Sequence, residues 1–328
     1  MDDRTRNSSE VAGAWVGPTS VGSLFAQRAR IVPDRIAVLD GPRTLTFAGL
    51  NDRANRLANV LAGLGVGTGD RVALLARNCA EYVEVELACA KIGAITACQN
   101  WRLADPELTH CLRLVEPALT IVQPEYLETL GRLDLAPGPT ITIGEEYERR
   151  LAGAPADEPA TAIDPETGFV ILYTSGTTGL PKGALISHRA MIARAMVIAA
   201  ELDLPRDDAF VAWPPFFHMA STDQGIASLL RGTPVIIVDG YRPDRLIEIV
   251  EQHRIGWLPL IPGMVEDFVR ALTDAQPKII GISLCGAMPD LVPPRQLAAV
   301  TRLLGAPYLN SFGATETGLP PATGALIP

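Results

Sequence analysis

The stretch Tyr173-Thr174-Ser175-Gly176-Thr177-Thr178-Gly179-Leu180-Pro181-Lys182-Gly183 decides how this chain is read. It sets four serine and threonine hydroxyls, three glycines and one lysine between the apolar runs Phe169 to Tyr173 and Ala184 to Ile186. Glycines let successive backbone N–H groups converge into a concave nest, and such nests bind anions. The hydroxyls add donors, and Lys182 adds a compact positive charge suited to phosphate. A polyphosphate is the expected ligand. The Walker-type loop needs Gly-Lys-Ser/Thr opening straight into a helix. Here Pro181 precedes Lys182 and Gly183 follows it, so that pattern fails. The G-x-G-x-x-G dinucleotide pattern fails too, because two residues separate Gly176 from Gly179. The apolar run after Lys182 predicts a second strand, with a helix beginning near Ser187, so the loop joins two strands. A plain Thr/Gly-rich surface turn is the alternative, but such biased chemistry over eleven residues exceeds what a turn needs.

The chain has 328 residues, more than one compact domain usually holds, so two substructures with sizeable cores are expected. Apolar residues make up 48% and charged residues 20%, the proportions of an ordinary globular enzyme. The net charge of -9 argues against a nucleic-acid or anionic-membrane partner. Cys79, Cys89, Cys98, Cys111 and Cys285 form no C-x-x-C pair, and most sit in apolar stretches, which predicts buried thiols in a reducing compartment. No leader pattern or membrane-length apolar run is visible, so a soluble, cytoplasmic protein is expected.

Residues 1–19 read as a loose polar tail. A helix is expected over Val21 to Ile31, then strands at Ile36 to Leu39 and Thr44 to Phe47. Apolar residues at Leu50, Ala54, Leu57, Ala58, Leu61 and Leu64 have a helical period ending at Gly65. Strand Arg71 to Ala76, helix Ala80 to Ile92 and strand Ala94 to Cys98 continue the alternation. Asp105-Pro106 is read as N-cap and first-turn proline of the next helix. Strands follow at Leu119 to Val122 and Thr140 to Ile143, and Ala154 to Thr167 reads as a connector. After the loop, helix 188–202 leads to a boundary at Leu204 to Asp208. The rhythm then restarts with strand 210–213, helix 222–231, strand 234–238, helix 244–253, strand 256–261, helix 263–273, strand 278–285, helix 291–304 and strand 307–312. Repeated βα units predict an α/β fold of parallel-rich sheets with helices on both faces.

Three further segments carry chemistry. Asn310-Ser311-Phe312-Gly313-Ala314-Thr315-Glu316-Thr317-Gly318 follows an apolar strand, which places Thr315 and Glu316 near a strand's carboxyl end, where α/β folds bind ligands. A carboxylate there suits Mg²⁺, a hard cation that bridges phosphates. Trp213-Pro214-Pro215-Phe216-Phe217-His218-Met219-Ala220-Ser221 sets a histidine among prolines and aromatics, and on its own such a histidine is usually a packed residue. Cys285-Gly286-Ala287-Met288 is a short turn after another apolar strand. His110, His188 and His253 read as structural residues on polar helix edges or caps, and Asn78 and Trp101 carry no assignable chemistry.

The loop from Tyr173 to Gly183 and the segment Asn310 to Gly318 resemble the signature motifs of the adenylate-forming, AMP-binding enzymes: acyl- and aryl-CoA synthetases, luciferases and peptide-synthetase adenylation domains. The resemblance implies an ATP-dependent acid–CoA ligase that works through an acyl-adenylate, with ATP, Mg²⁺ and coenzyme A as reactants. It implies that Thr174, Ser175, Gly176, Thr177, Thr178, Gly179 and Lys182 hold the β- and γ-phosphates. Thr315 then contacts the α-phosphate and Glu316 binds the metal. Phe312 stacks on adenine where the family usually has Tyr, with Asn310, Ser311 and Gly313 beside it and Gly286, Ala287 and Met288 along the other face. His218 orients the acyl carboxylate. Met219 stands where amino-acid-activating members have Asp, so a simple carboxylic acid is implied. Met219, Ser221, Thr222, Cys285, Gly286, Ser311 and Ala314 are candidate pocket residues, compatible with fatty, alicyclic or aryl acids. The resemblance alone gives a division into residues 50–204 and residues 20–49 plus 205–328. It also implies that the barrel subdomain and the mobile C-terminal domain are largely missing, so that these residues alone are expected to have little or no ligase activity. Two other readings stay open: an aryl-acid or carrier-protein-loading adenylation module, and a non-catalytic acid- or nucleotide-binding protein. Whether a homodimer forms is also left open.

Overall fold

The computed structural model describes residues 19–136, 138–175, 179–320 and 325–328. The predicted tail up to Pro18 and the loop positions Gly176, Thr177 and Thr178 lie outside the described residues. In chain order the first half forms α1 (Val21–Ile31), β1 (Ile36–Asp40), β2 (Arg43–Thr46), α2 (Phe47–Gly63), β3 (Arg71–Leu75), α3 (Ala80–Ile92), β4 (Ile95–Cys98), α4 (Asp105–Val115), β5 (Leu119–Val122), α5 (Leu127–Arg132), β6 (Thr140–Thr142) and α6 (Glu145–Ala152). The second half forms β7 (Gly168–Thr174), β8 (Lys182–Ser187), α7 (His188–Glu201), β9 (Ala209–Ala212), α8 (Met219–Arg231), β10 (Val235–Ile237), α9 (Pro243–Gln252), β11 (Ile255–Leu258), α10 (Val265–Ala275), β12 (Ile282–Cys285), α11 (Pro294–Leu304), β13 (Tyr308–Asn310) and β14 (Ala325–Ile327).

The strands make two sheets. One has the order β6-β5-β3-β4-β7-β8 and the other β14-β13-β12-β11-β9-β10-β1-β2. Pairing is parallel except at β7–β8, β1–β2 and β13–β14. The inner strands are apolar end to end, as strands covered on both faces must be: all of β4, β5, β9 and β11 is buried. One continuous core joins the two sheets, running from Val72 and Leu74 through α3 to Phe210, Val235 and Leu309. In α3, Ala80 and every residue from Tyr82 to Ile92 are buried, which accounts for its lack of a polar face. Its carboxylate Glu84 accepts from Arg43 Nη2 at 2.8 Å, Arg53 Nε at 2.7 Å and Tyr147 Oη at 2.8 Å. Separate cores lie under α9–α11 and under α4. Among the described residues no helix is long and apolar enough to cross a membrane.

Several local expectations are corrected. Phe47 opens α2 instead of ending a strand, because the Thr46 hydroxyl accepts the Gly49 N–H at 3.1 Å and caps the helix. Ala104, not Asp105, is the N-cap of α4, and Glu107 reaches back to accept the Ala104 N–H at 3.1 Å. The strand expected over 278–285 is only Ile282–Cys285; Ile280, 48% exposed, gives its N–H to the Val250 carbonyl instead. The helix expected from residue 291 starts at Pro294, since Pro293 and Pro294 each disfavour helical backbone in the residue before them. The last long strand stops at Asn310, leaving Ser311 and Phe312 in a loop. His188 is not at a polar edge: it is wholly buried, and its Nδ1 accepts the Val21 N–H at 3.2 Å.

Candidate functional site

The Ser/Thr/Gly loop closes an antiparallel hairpin: Tyr173 faces Gly183 and Thr174 faces Lys182 across β7 and β8. The base is fixed from outside. Tyr173 Oη accepts from Gln99 Nε2 at 2.9 Å and donates to the Cys111 carbonyl at 3.2 Å. His110 Nε2 lies 3.1 Å from the Pro181 carbonyl. A Cβ at Gly183 would crowd Ile171 Cγ2 at 2.9 Å, whereas at Gly179 the backbone itself, with φ +90, favours glycine. Ser175, Gly179, Leu180 and Lys182 are exposed at the open end. The hairpin therefore carries Ser175 and Lys182 at its exposed end.

The second component is the Trp213 to His218 turn after β9. The Asn78 side chain, at the carboxyl end of β3, crosses between the sheets to hold it. Its Nδ2 lies 2.8 Å from the Pro214 carbonyl, 3.1 Å from those of Ala212 and Val238, and 3.4 Å from that of Trp213; Oδ1 accepts the Phe216 N–H at 2.9 Å. Trp213 Nε1 donates to the Pro259 carbonyl at 2.7 Å. The turn ends at His218, the N-cap of α8, whose Nδ1 accepts the Ala220 N–H at 3.2 Å. That bond leaves the neutral ring's proton on Nε2. Its edge reaches solvent, yet the protein around it desolvates the ring and lowers its pKa. Phe217 meets Trp101 edge-on at 6.3 Å.

The third component follows β12 and β13, neighbours paired at Cys285 and Tyr308. The turn Gly286-Ala287-Met288 leaves one strand and Ser311-Phe312 leaves the other. Gly286 has φ +76, and a Cβ there would fall 2.1 Å from the Tyr308 ring, so glycine is obligatory. Tyr308 Oη props this turn, lying 2.8 Å from the Leu260 carbonyl and 3.1 Å from that of Ala287. Met288 is 45% and Phe312 70% exposed, both large apolar surfaces presented outward. Beyond Phe312 the loop folds on itself, with the Gly318 N–H donating to the Ala314 carbonyl at 2.7 Å. Glu316 is exposed on this loop and Thr315 half-buried. Arg194 of α7, the helix that follows the hairpin, donates from Nη2 to the Thr315 carbonyl at 2.9 Å and pairs through Nη1 with Asp223 of α8 at 3.0 Å. Burial pushes the Asp223 carboxyl up to about 6, while Arg194 pulls it down.

The carboxyl ends of both sheets thus converge. The hairpin follows β7, the turn to His218 follows β9, the Gly286 turn follows β12 and the Thr315–Glu316 loop follows β13, so each leaves the carboxyl end of a strand in one of the two sheets. Three pocket candidates are closed off from solvent. Ser221 and Thr222 are wholly buried, with their hydroxyls donating to the Pro214 and Phe216 carbonyls, and Cys285 is buried with Sγ 3.9 Å from the Ala306 carbonyl. All three turn their polar atoms to backbone carbonyls of their own sheet or turn. Asn78 and the Arg194–Asp223 pair were missed. A lone Asn after a strand, and an Arg and an Asp on separate helices, give no spacing signal; only the fold joins them. Among the described residues no group of three or more His, Cys, Asp or Glu side chains is arranged as a metal centre.

Comparison with known proteins agrees with this geometry. The family model "AMP-binding enzyme" matches residues 25–325. A feruloyl-CoA synthase from Amycolatopsis sp is 32% identical over 310 residues, covering 94% of this chain and 61% of that protein. The long-chain-fatty-acid–CoA ligase FadD13 of Mycobacterium tuberculosis is 32% identical over 263 residues, covering 78% of this chain and 52% of that protein. The chain therefore spans about three fifths of the feruloyl-CoA synthase and half of FadD13. The N-terminal domain of FACL13 from Mycobacterium tuberculosis, crystallised with an inhibitor, superposes with a TM-score of 0.84 at 26% identity, covering 90% of this chain and 76% of that one. The fold is that of the N-terminal domain of adenylate-forming enzymes, and the chain belongs to the AMP-binding enzyme family.

Proposed function

We propose that this chain is the ATP- and acid-binding part of an AMP-forming acid–CoA ligase. The observation that carries the reading is the 2.9 Å bond from Arg194 to the Thr315 carbonyl, which seats the Thr315–Glu316 loop on the helix that leaves the phosphate hairpin. In the first step a carboxylate oxygen of the acid attacks the α-phosphorus of ATP, and pyrophosphate leaves. In the second the CoA sulfur attacks the acyl carbonyl, and AMP leaves. Thr174, Ser175 and Lys182, with Gly176 to Gly179, hold the β- and γ-phosphates. Thr315 reaches the α-phosphate. Phe312 and the Gly286-Ala287-Met288 turn bracket the adenine, with Asn310, Ser311 and Gly313 beside it. His218 presents Nε2–H to the carboxylate and so orients the nucleophile. These groups act through positioning and electrostatics. Mg²⁺ fits this donor set: it takes one or two carboxylates and fills its shell with phosphate oxygens and water, so Glu316 would hold it and it would neutralise phosphate charge.

On the acid side, Met219 offers no charge to an ammonium group, which favours a simple carboxylic acid. The relatives act on feruloyl, indoleacetate and fatty acyl groups, so both aryl and alkyl acids are candidates. A relative from Streptomyces coeruleorubidus is a fatty acid–acyl-carrier-protein ligase, so the thiol acceptor is tested as CoA against a carrier protein. The experiment is pyrophosphate release from ATP with ferulate, indoleacetate and dodecanoate, using the longest protein that carries this chain. Release with one acid and none without acid supports the reading. ATP binding with no acid-dependent release would leave a nucleotide-binding protein in its place.

A further inference from the structure

An ionised pair inside a protein is weak support for stability, because desolvating both charges offsets most of their attraction. Arg194 and Asp223 are such a pair, with side chains 6% and 4% exposed. What an apolar pair could not supply is the second bond that Arg194 makes. Its planar fork divides: Nη1 lies 3.0 Å and 3.3 Å from the two Asp223 oxygens, while Nη2 donates to the Thr315 carbonyl at 2.9 Å. The loop lies flush on this guanidinium. A Cβ at Gly318 would fall 2.8 Å from Arg194 Cγ, Cδ and Nε, and Gly318 has φ +69. Within the loop the N–H groups of Ala314, Thr317 and Gly318 bond to the loop's own carbonyls, and Leu319 beyond it packs against Ala195, Ile198 and Ala227. Asp223 sits five residues beyond His218 on α8, under two helical turns away.

We propose that the buried Arg194–Asp223 pair is the positioning device of the site: it sets the Thr315–Glu316 loop against α7 and ties that loop, through α8, to His218. This rests on the adenylation reading for its kinetic consequence, but not for its structural one. Arg194 and Asp223 touch no reactant. They act through the Thr315 carbonyl on one side and the α8 N-terminus on the other, so the nucleotide and acid sides share one rigid element. Removing one partner strands a buried charge and destabilises the protein. Removing both, with apolar residues of similar size, relieves the charge while still releasing the loop.

The variants are Arg194→Lys, Asp223→Asn and the double substitution Arg194→Met with Asp223→Leu, in the longest protein that carries this chain. Three measurements are made: melting temperature, hydrogen exchange at Ala314, Thr317 and Gly318, and kcat/KM for MgATP in acid-dependent pyrophosphate release. The double variant is expected to regain most of the melting temperature lost in Asp223→Asn. It should nonetheless lose protection at the three loop amides and about 10²-fold in kcat/KM, the cost of a misplaced reacting group. Arg194→Lys, which keeps the charge but not the fork, should behave like the double variant. Unchanged loop protection in the double variant overturns the proposal, as does a kcat/KM that follows melting temperature across the set. Absence of acid-dependent release from the unsubstituted protein would sink the adenylation reading alone, since the exchange measurement decides the positioning role without turnover.

Discussion

Replacing Asn78 with alanine removes the side chain that joins the carboxyl ends of the two sheets. The magnitude follows from which groups keep a partner. The Pro214 carbonyl still accepts from Ser221 Oγ at 2.5 Å, and the Ala212 carbonyl still accepts the Val238 N–H at 3.2 Å. The Phe216 N–H loses the acceptor it had at 2.9 Å, and the Val238 carbonyl loses the donor it had at 3.1 Å. The Trp213 carbonyl loses only a long contact of 3.4 Å. A buried polar group left without a partner costs about 1–3 kcal/mol, so the two close bonds together are worth about 2–6 kcal/mol. Urea unfolding reads this as a lower midpoint at unchanged slope. Asn78→Asp is the informative companion. It keeps the acceptor for Phe216 but turns a charged oxygen towards the carbonyls, so it should be at least as destabilised at pH 8 and recover stability as the pH falls and the carboxyl gains a proton. A loss below about 1 kcal/mol for Asn78→Ala, or no pH dependence for Asn78→Asp, would refute the clamp.

The remaining predictions concern the hairpin, a buried histidine and a close helix contact. Lys182→Ala and Glu316→Gln should each lower kcat/KM for MgATP about 10²-fold or more in pyrophosphate release, with little change in melting temperature, because both side chains are exposed. Desolvation lowers His188 from 6.5 to about 4, so the neutral ring is the folded form. The stability this gives is complete above pH 6.5 and is lost as pH falls towards 4, by about 3 kcal/mol at most. His188→Gln should flatten that slope in unfolding titrations, and an equally steep slope would count against it. Gly22→Ala should destabilise by about 1–3 kcal/mol, because its Cβ would fall 2.8 Å from the Ala90 carbonyl oxygen and force α1 away from α3; an unchanged melting temperature would contradict this.

Much of this was legible in residue order. The run Phe169 to Tyr173, the loop and the run Ala184 to Ile186 predicted a strand–loop–strand device, and Thr174 does face Lys182 across an antiparallel pair. The α/β alternation also held, because apolar runs separated by helical periods have few other ways to bury their surface. What failed is instructive. The segment 278–285 carries three isoleucines, yet its first half forms no strand and only Ile282–Cys285 pairs, because pairing partners lie outside any local window. Ser221 and Thr222 have the size and polarity of pocket residues, but their hydroxyls turn back onto the preceding loop. His188 looked like a polar cap, and the packing of α1 against α7 buries it. Asn78 lies in a segment that resembles a family pattern but offered no chemistry to assign, and Arg194 and Asp223 gave no signal, because each acts on backbone groups more than a hundred residues away or on another helix.

The most direct test of the central claim is acid-dependent exchange of labelled pyrophosphate into ATP, without CoA, in the longest protein that carries this chain. Adenylation predicts exchange that needs both a carboxylic acid and Mg²⁺ and collapses in Lys182→Ala and Glu316→Gln. Exchange that is absent with every acid while MgATP still binds, or that is untouched by both substitutions, would contradict it.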